Sequence, residues 1–424
     1  MKELTDGVRT LGDPVYIDCD FLEGTCNETK RKIIFIPLPV AINPIPFSSI
    51  IVIPIRVYVI NSLDISMTNR MVFRCTELDY IHSINTAVDK NTFATDGVVT
   101  INTKRFNETT TEKHIFYVDE RKVAVQFAVT RSTTTKTGQS PLSLHSIMIF
   151  EFDSTDDYMF LFKLWYIAKN FIQYLCYREN IYIPHVELIS AYNGSYRESA
   201  IFYVVNEIGE EELGALSKGR FIKLTYLEDK EGEILNDIAN NTLFHRHLPD
   251  SFYKSNNYDV ARFIMIVSAF EWEFKCCYPD GIKKSDKTIK IEDEVTSVID
   301  KLIDNSSGMV KSKYKYLKKR IKDDPLKHKI EQVGKDYSDI IDRFGKNLYE
   351  TDDELNYNEI GERIGDQRNR FAHGNLNEDF IEKSLVDIIF LERIVYAMQL
   401  NRYDISNKSI QKSINELFHC RLGL

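Results

Sequence analysis

The sequence predicts an α+β protein with two domains. The first is β-rich, with an antiparallel sheet and a buried helix, and the second is an all-α helical bundle. A chain of 424 residues is too long for one small core. Up to residue 208, short stretches alternate apolar and polar residues between Asn, Asp, Gly and Thr clusters, as antiparallel half-buried strands do. From residue 235 the apolar residues recur with the helical period. The acidic, glycine-bounded segment between them, residues 209–234, is predicted to be a hinge.

Most elements of the first domain are predicted strands. One helix, Tyr158–Arg178, follows the N-cap residues Ser154 to Asp157. It is apolar on nearly every side, so we expect it to be buried against the sheet. The predicted strands are Pro14–Phe21, Lys32–Ile36, Ile50–Ile60, Met71–Arg74, Gly97–Thr103, His114–Val118, Lys122–Thr130, Ser146–Phe152, Tyr182–Ile189 and Glu198–Val205.

The second domain is predicted to be an antiparallel bundle, because its elements follow the helical period one after another. In its first helix, an apolar stripe passes through Phe263, Val267 and Phe270. Glu271 lies at the edge of this stripe and Glu273 nearly opposite. Glu271 is therefore expected either to orient Arg368 from a facing helix or to be a peripheral glutamate hydrogen-bonded to water. The predicted helices are Tyr258–Cys277, Glu292–Asp304, Met309–Lys322, Lys329–Tyr349, Leu355–His373 and Asp379–Leu400.

A cytoplasmic, non-membrane protein is the expectation from composition. Hydrophobic residues make up 43% and charged residues 28% of the chain, and the N-terminus lacks a secretory pattern. Ile33–Ile55 is uncharged over 23 residues, but five prolines would break a helix in hydrocarbon. The seven cysteines match no disulfide or metal framework, which favours a reducing cytosol.

The segment from Arg368 to His373 carries residues suited to phosphodiester chemistry. An arginine can hold a phosphate with a planar set of donors, and a histidine can transfer protons near neutral pH. Asn369 and His373 are four residues apart and share a helix face, and Gly374 then predicts the helix end. Arg370 is a further candidate for RNA contact. The competing interpretation is a capped helix end with a surface arginine.

A basic run is the local exception in a chain of net charge −9. Residues 311–329 contain nine Lys or Arg and two Asp, with tyrosines interleaved, a pattern that suits an RNA backbone. A solvated helix face explains the same pattern. The predicted RNA-binding residues of this run are Lys313, Lys315, Lys318, Lys319 and Arg320.

No metal site or cofactor is predicted. His245, His247 and Asp250 have a loop-like spacing without a fourth ligand, and we interpret them as structural. The histidines of the first domain, among them His114, are scattered singly. Cleavage of RNA by its own 2′-hydroxyl needs an acid, a base and positive charge on the phosphate, but no metal.

The helical part, residues 235–424, resembles a HEPN domain. That superfamily carries an Arg with a polar neighbour and a His after four to six residues, and Arg368, Asn369 and His373 fit with four intervening residues. The resemblance implies a metal-independent endoribonuclease that leaves a 2′,3′-cyclic phosphate and acts as a homodimer through the helical domain. It implies Arg368 and His373 as catalytic residues, supported by Asn369. Glu271 matches the acidic residue that some members carry on the first bundle helix.

The complete layout resembles ApeA-type antiphage proteins, in which a β-rich domain precedes a HEPN effector. The strand, aromatic helix and strand between Ile147 and Ile189 carry this resemblance. It implies abortive infection, with a phage-derived activator detected by the N-terminal domain. Two alternatives stay open. The bundle could be an inactive module that binds nucleotide, RNA or a protein partner, or the β-rich domain could be the functional part, binding a ligand or peptide in a cleft.

Overall fold

The alternating stretches of the first half form a nine-stranded antiparallel sheet, followed along the chain by helices. The computed structural model describes residues 15–16, 21–37, 41–42, 55–61, 67–89, 93–95, 98–205, 212–322, 324–372, 379–381 and 383–423. The chain divides into two compact units, Met1–Thr242 with Asp250–Phe252, and Leu243–Pro249 with Tyr253–Leu424. The predicted α+β, two-domain fold class is confirmed.

In some strands of the first unit, such as β3 (Lys32–Pro37) and β5 (Ile55–Asn61), buried residues alternate with partly exposed ones, whereas β11 (Leu142–Thr155) is buried on both faces from Ser146 to Phe150. The large sheet has the order β2-β3-β5-β13-β12-β6-β11-β10-β9, and every neighbouring pair is antiparallel. The strands are β1 Val15–Tyr16, β2 Leu22–Thr25, β3 Lys32–Pro37, β4 Ala41–Ile42, β5 Ile55–Asn61, β6 Thr68–Phe73, β7 Phe93–Thr95, β8 Val98–Thr100, β9 His114–Val118, β10 Arg121–Thr133, β11 Leu142–Thr155, β12 Val186–Tyr192 and β13 Ser195–Val204.

The predicted aromatic helix is buried, as its apolar surface requires. The side chain of Asp157 accepts a hydrogen bond from the backbone N–H of Phe160 at its start, and Phe171 is fully buried near the Phe127 ring of the sheet. The helix ends at Cys176, two residues before its predicted end. The described helices of this unit are α1 Thr76–Ile81, α2 Tyr158–Cys176, α3 Leu213–Ser217 and α4 Glu231–Ala239.

Arg178, predicted as the last residue of this helix, turns inward beyond it. Its guanidinium lies 2.7 Å from a Glu77 carboxylate oxygen and 3.2 Å from one of Glu212, and all three side chains are at most 3% exposed. Burial on this scale requires paired charges.

Within the described residues, no helix combines the length and the apolar content that crossing a bilayer requires.

The segment predicted as a hinge differs from the structure. Its described residues contain α3 and the start of α4, and α4 packs against β9 and α2. Leu216, Ile222, Leu227 and Ile234 are buried, so their apolar surface stabilises the first unit. The boundary falls after Thr242, beyond the predicted start of the helical domain at residue 235.

The second unit is helical and centred on the helix Ser384–Asn401 (α11), which is buried on almost every side. The prediction of one helix over Lys329–Tyr349 is wrong, because the chain forms two helices that meet at Tyr337, α8 (Leu326–Asp336) and α9 (Ser338–Tyr349). A further helix, α12, was missing from the prediction. The helices of this unit are α5 Val260–Cys277, α6 Asp286–Asp304, α7 Gly308–Lys322, α8 Leu326–Asp336, α9 Ser338–Tyr349, α10 Tyr357–Ala372, α11 Ser384–Asn401 and α12 Asn407–Leu417.

Candidate active site in the helical unit

Helix α10 carries Arg368 at the edge of its packed face, and Asn369 and Arg370 on its exposed side. Ile360, Ile364 and Phe371 lie on one face and are buried. A Cβ at Gly361 would lie only 2.7 Å from the Cα of Lys327, so glycine is needed where α10 crosses α8. Arg368 lies beside the packed face, and its side chain is 41% exposed. The guanidinium is therefore accessible to a phosphate.

Arg368 and Glu271 form the contact predicted from the sequence. The guanidinium nitrogens Nη2 and Nη1 of Arg368 lie 3.1 and 3.4 Å from the two carboxylate oxygens of Glu271 on α5. A planar guanidinium held by both carboxylate oxygens has a fixed orientation. The catalytic role of both residues stays a prediction.

Lys329 adds a second cation to this pair. Its Nζ lies 3.7 Å from Glu271 Oε1 and 5.5 Å from the centre of the Phe274 ring. Two cations and one carboxylate give the group Arg368, Glu271 and Lys329 a net positive charge. The sequence places Lys329 at the end of the basic run but not among the candidate site residues, and only the packing of α8 against α5 and α10 shows its position.

The expectation that Glu273 points away from the core is wrong. Glu273 is fully buried, whereas the Glu271 side chain is 29% exposed. Because Ile266 and Ala269 are also buried, the packed face of α5 includes Glu273. Arg402 Nη1 and Gln399 Nε2 donate hydrogen bonds to the Glu273 carboxylate at 2.9 and 3.2 Å, so this buried charge is compensated.

Asn369 and Arg370 lie on the exposed part of α10. Together with Arg363, Asp366 and Ile381 they line a cleft of about 350 Å³. A cleft with amide and guanidinium donors can accept phosphate or ribose oxygens. Asn369 and Arg370 therefore share one surface, while Arg368 contacts α5.

The predicted proton carrier, His373, lies outside the described residues, as does Gly374. The chain on both sides of residues 373–378 is anchored by a residue that the sequence analysis missed. Gln367 is fully buried, and its Oε1 accepts hydrogen bonds from the backbone N–H of Ile381 at 2.9 Å and from Ser384 Oγ at 3.0 Å. Gln367 thereby ties the end of α10 to the start of α11.

Asp387 provides a second contact that fixes α10, the helix that carries Arg368. This fully buried carboxylate accepts two hydrogen bonds from Arg363 at 2.7 Å and one from the Tyr349 hydroxyl at 2.5 Å. Burial and the Asp387 carboxylate raise the pKa of the Tyr349 hydroxyl, and hydrogen bonding to Asp387 raises the pKa of Arg363. Asp387 therefore joins α9, α10 and α11 through one charge.

The predicted RNA-binding lysines lie on α7. Lys313, Lys315 and Lys319 are exposed, whereas Lys318 Nζ lies 2.6 and 2.8 Å from the two carboxylate oxygens of Asp300 on α6. Arg320 lies in the same helix. The charge of Lys318 is therefore compensated within the hairpin that α6 and α7 form, and the other three lysines present theirs to solvent.

His245 and His247 lie in surroundings that indicate a structural role. His247 is 1% exposed, stands beside the Phe244 and Tyr396 rings, and burial lowers its pKa to about 3. His245 Nδ1 is 3.2 Å from the carbonyl oxygen of Leu243, and burial lowers its pKa. Both features fit a neutral imidazole packed in a core.

Comparison with known proteins identifies no family for this chain. No protein-family model matches the chain, and searches of curated proteins and of solved structures gave no significant match.

Proposed function

We propose that the chain is a metal-independent endoribonuclease and the effector of an antiphage abortive-infection system, with sensing by the β-rich unit. The observation that carries the ribonuclease proposal is the group Arg368, Glu271 and Lys329. An arginine oriented by a carboxylate, with a net positive charge and a partly exposed guanidinium, is suited to a phosphate group. The defence role rests on the resemblance of the chain's layout to ApeA-type proteins.

The proposed chemistry is an internal transfer within RNA. The 2′-oxygen loses its proton and bonds to phosphorus while the bond from phosphorus to the 5′-oxygen breaks, and that leaving oxygen takes up a proton. The products are a 2′,3′-cyclic phosphate and a 5′-hydroxyl. Arg368 neutralises the phosphoryl oxygens, His373 exchanges a proton, and Asn369 hydrogen-bonds the phosphate or ribose. Glu271 positions Arg368 without contacting the RNA.

A homodimer through the helical unit belongs to this proposal, because one motif supplies one histidine whereas the reaction has two proton transfers. The hairpin of α6 and α7 supports self-association. Four exposed apolar residues on α6 follow the spacing of a coiled-coil seam, and α6 is mainly acidic while α7 is basic. Light scattering of the full chain checks this, and a monomer at micromolar concentration would contradict it. The four residues are Ile291, Val295, Val298 and Leu302.

The direct test is cleavage of labelled RNA by the full chain in EDTA. We expect cleavage without divalent ions and products that end in a 2′,3′-cyclic phosphate. A double variant, Arg368→Ala with His373→Ala, purified in the same way, controls for contaminating nucleases. Products with a 3′-hydroxyl would show different chemistry. RNA binding without cleavage, also in the presence of phage lysate as activator, would favour the inactive binding module.

Replacing three exposed lysines of α7, Lys313, Lys315 and Lys319, is expected to weaken RNA binding and its dependence on salt. Each lost phosphate contact lowers the slope of log K against log salt by about 0.7 for single strands. We expect the triple change of Lys313, Lys315 and Lys319 to Gln to lower the slope by up to ~2, measured by fluorescence anisotropy between 50 and 200 mM salt.

The matched control for this change lies on the neighbouring helix. Lys287, Lys290 and Lys301 are exposed on α6, which has more acidic than basic residues, and their replacement by Gln should leave the slope nearly unchanged. Lys318→Gln should have a small effect because Asp300 already compensates its charge. Equal loss in both triple variants would mean that α7 is only a solvated face.

A further inference from the structure

A histidine and two carboxylates of the first unit face one another across the contact between β9 and α4. His114 Nε2 lies 3.7 Å from Glu231 Oε2 and 4.0 Å from Asp229 Oδ1, and the three ligand atoms all lie within 4.8 Å of one another. No local sequence pattern indicates this group, because more than a hundred residues separate His114 from Asp229. Only the packing of α4 against β9 joins them.

Two polar atoms of this group are buried without a hydrogen-bond partner. They are Nε2 of His114 and Oε2 of Glu231, and Glu231 is only 3% exposed. A buried carboxylate oxygen that lacks a donor is costly, and such groups are rare in folded proteins. Asp229 differs, because its side chain is 86% exposed and can adjust its position.

The backbone holds this arrangement in place through a close approach of α4 to β9. A Cβ at Gly232 would lie 2.7 Å from the carbonyl oxygen of Ile115 and 3.0 Å from the Cβ of His114, so only glycine fits beside Glu231. Asn236 Oδ1, one turn further along α4, accepts a hydrogen bond from the backbone N–H of Tyr117 at 3.2 Å. β9 is an edge strand of the nine-stranded sheet, and α4 covers its open edge.

We propose that His114, Asp229 and Glu231 bind a divalent transition-metal ion, with Zn²⁺ as the best-fitting ion. One imidazole and two carboxylates are Zn²⁺ ligands, and three protein ligands leave a fourth position for water. Two ligands at about 2.1 Å from a tetrahedral ion are ~3.4 Å apart. The observed 4.0 Å between His114 and Asp229 can close by movement of the exposed Asp229 side chain, and the 3.7 Å between His114 and Glu231 needs a contraction of about 0.3 Å.

This site would fasten α4 to the edge of the sheet. The ion would replace hydrogen-bond partners that His114 Nε2 and Glu231 Oε2 lack, and would link two elements that are distant in sequence. The proposal is independent of the ribonuclease proposal, because its residues lie in the first unit and take no part in the RNA chemistry. The competing explanation is an ion pair between His114 and Glu231 without a metal.

Metal binding by the full-length protein tests the proposal. After removal of bound metals, the protein is titrated with Co²⁺, whose visible absorption reports the ligand geometry, and then with Zn²⁺ in competition with a chromophoric chelator. We expect one equivalent to bind, and Glu231→Gln and Asp229→Asn to weaken Zn²⁺ binding by at least about tenfold. Asp229→Asn changes an exposed side chain, so its effect does not depend on the stability of the core.

The matched control is another histidine and carboxylate pair of the same unit. His145 Nδ1 lies 3.2 Å from Asp79 Oδ2 at the surface, and His145→Ala should leave Zn²⁺ affinity unchanged. Failure of the wild type to bind Co²⁺ or Zn²⁺ would overturn the proposal in favour of the ion pair. Wild-type affinity in both Glu231→Gln and Asp229→Asn would place the metal elsewhere and overturn it as well.

Discussion

Arg368→Ala is expected to slow RNA cleavage by about 100- to 1,000-fold, the usual loss when one donor to a developing negative charge is removed. The guanidinium is partly exposed and oriented by Glu271, so we expect its main contribution in the transition state rather than in folding. Single-turnover rates at saturating RNA measure this loss.

His373→Ala should lower the same rate by about 100- to 10,000-fold, as for the loss of a general acid or base.

Two other arginines show whether this loss is specific. Arg343 is exposed on α9, and Arg343→Ala should retain the wild-type rate. Arg370→Ala tests the neighbouring cleft, and we expect weaker RNA binding with a smaller change in rate. If Arg368→Ala, with an unchanged circular dichroism spectrum, cleaves as fast as the wild type, the proposed site is wrong.

Glu271→Gln separates positioning from catalysis. The amide keeps the shape of the side chain but removes the charge that holds Arg368, so we expect a smaller rate loss than for Arg368→Ala. In the double variant Glu271→Gln with Arg368→Ala, the two effects should not add, because Glu271 acts through Arg368. Additive losses would show that Glu271 contributes to the rate by another route, such as through Lys329.

The fold class was predictable because alternation and helical period are local properties of the sequence. The break at Tyr337 was not. Buried residues of α8 and α9 continue the seven-residue spacing of one helix, from Val333 to Ile340, so the sequence contains no irregularity there. The segment predicted as a hinge was misjudged for a related reason, since its charges obscured buried residues such as Leu227 and Ile234.

The candidate site was predictable only in part. The contact between Arg368 and Glu271 follows from two facing helices, each with one residue at the edge of its packed face. Buried polar anchors depend on tertiary packing instead. Gln367 bonds to the start of the next helix, and Glu273 is buried because Arg402 and Gln399 come from another helix. No local pattern distinguishes such residues from surface ones.

Asp387→Asn is expected to destabilise the helical unit by about 3 kcal/mol, because removing one charge of a buried ion pair leaves the other uncompensated. Asp387 is fully buried, and the asparagine keeps its size, so the change isolates the charge. The chain's two tryptophans, Trp165 and Trp272, lie one in each unit. In a Trp165→Phe background, Trp272 fluorescence during urea unfolding therefore reports on the helical unit alone.

Glu359 provides the control for this prediction, because it approaches the same arginine from the solvent side. Glu359 Oε2 lies 3.8 Å from Arg363 Nη1 one turn earlier on α10, and its side chain is 64% exposed. Exposed pairs at this spacing contribute about 0.3–0.5 kcal/mol, so Glu359→Gln should change stability by that amount at most. Similar losses in the two variants would contradict a special role for the buried charge. A large loss for Asp387→Asn alone would show that this carboxylate, which joins α9, α10 and α11, holds the helix of Arg368 in place.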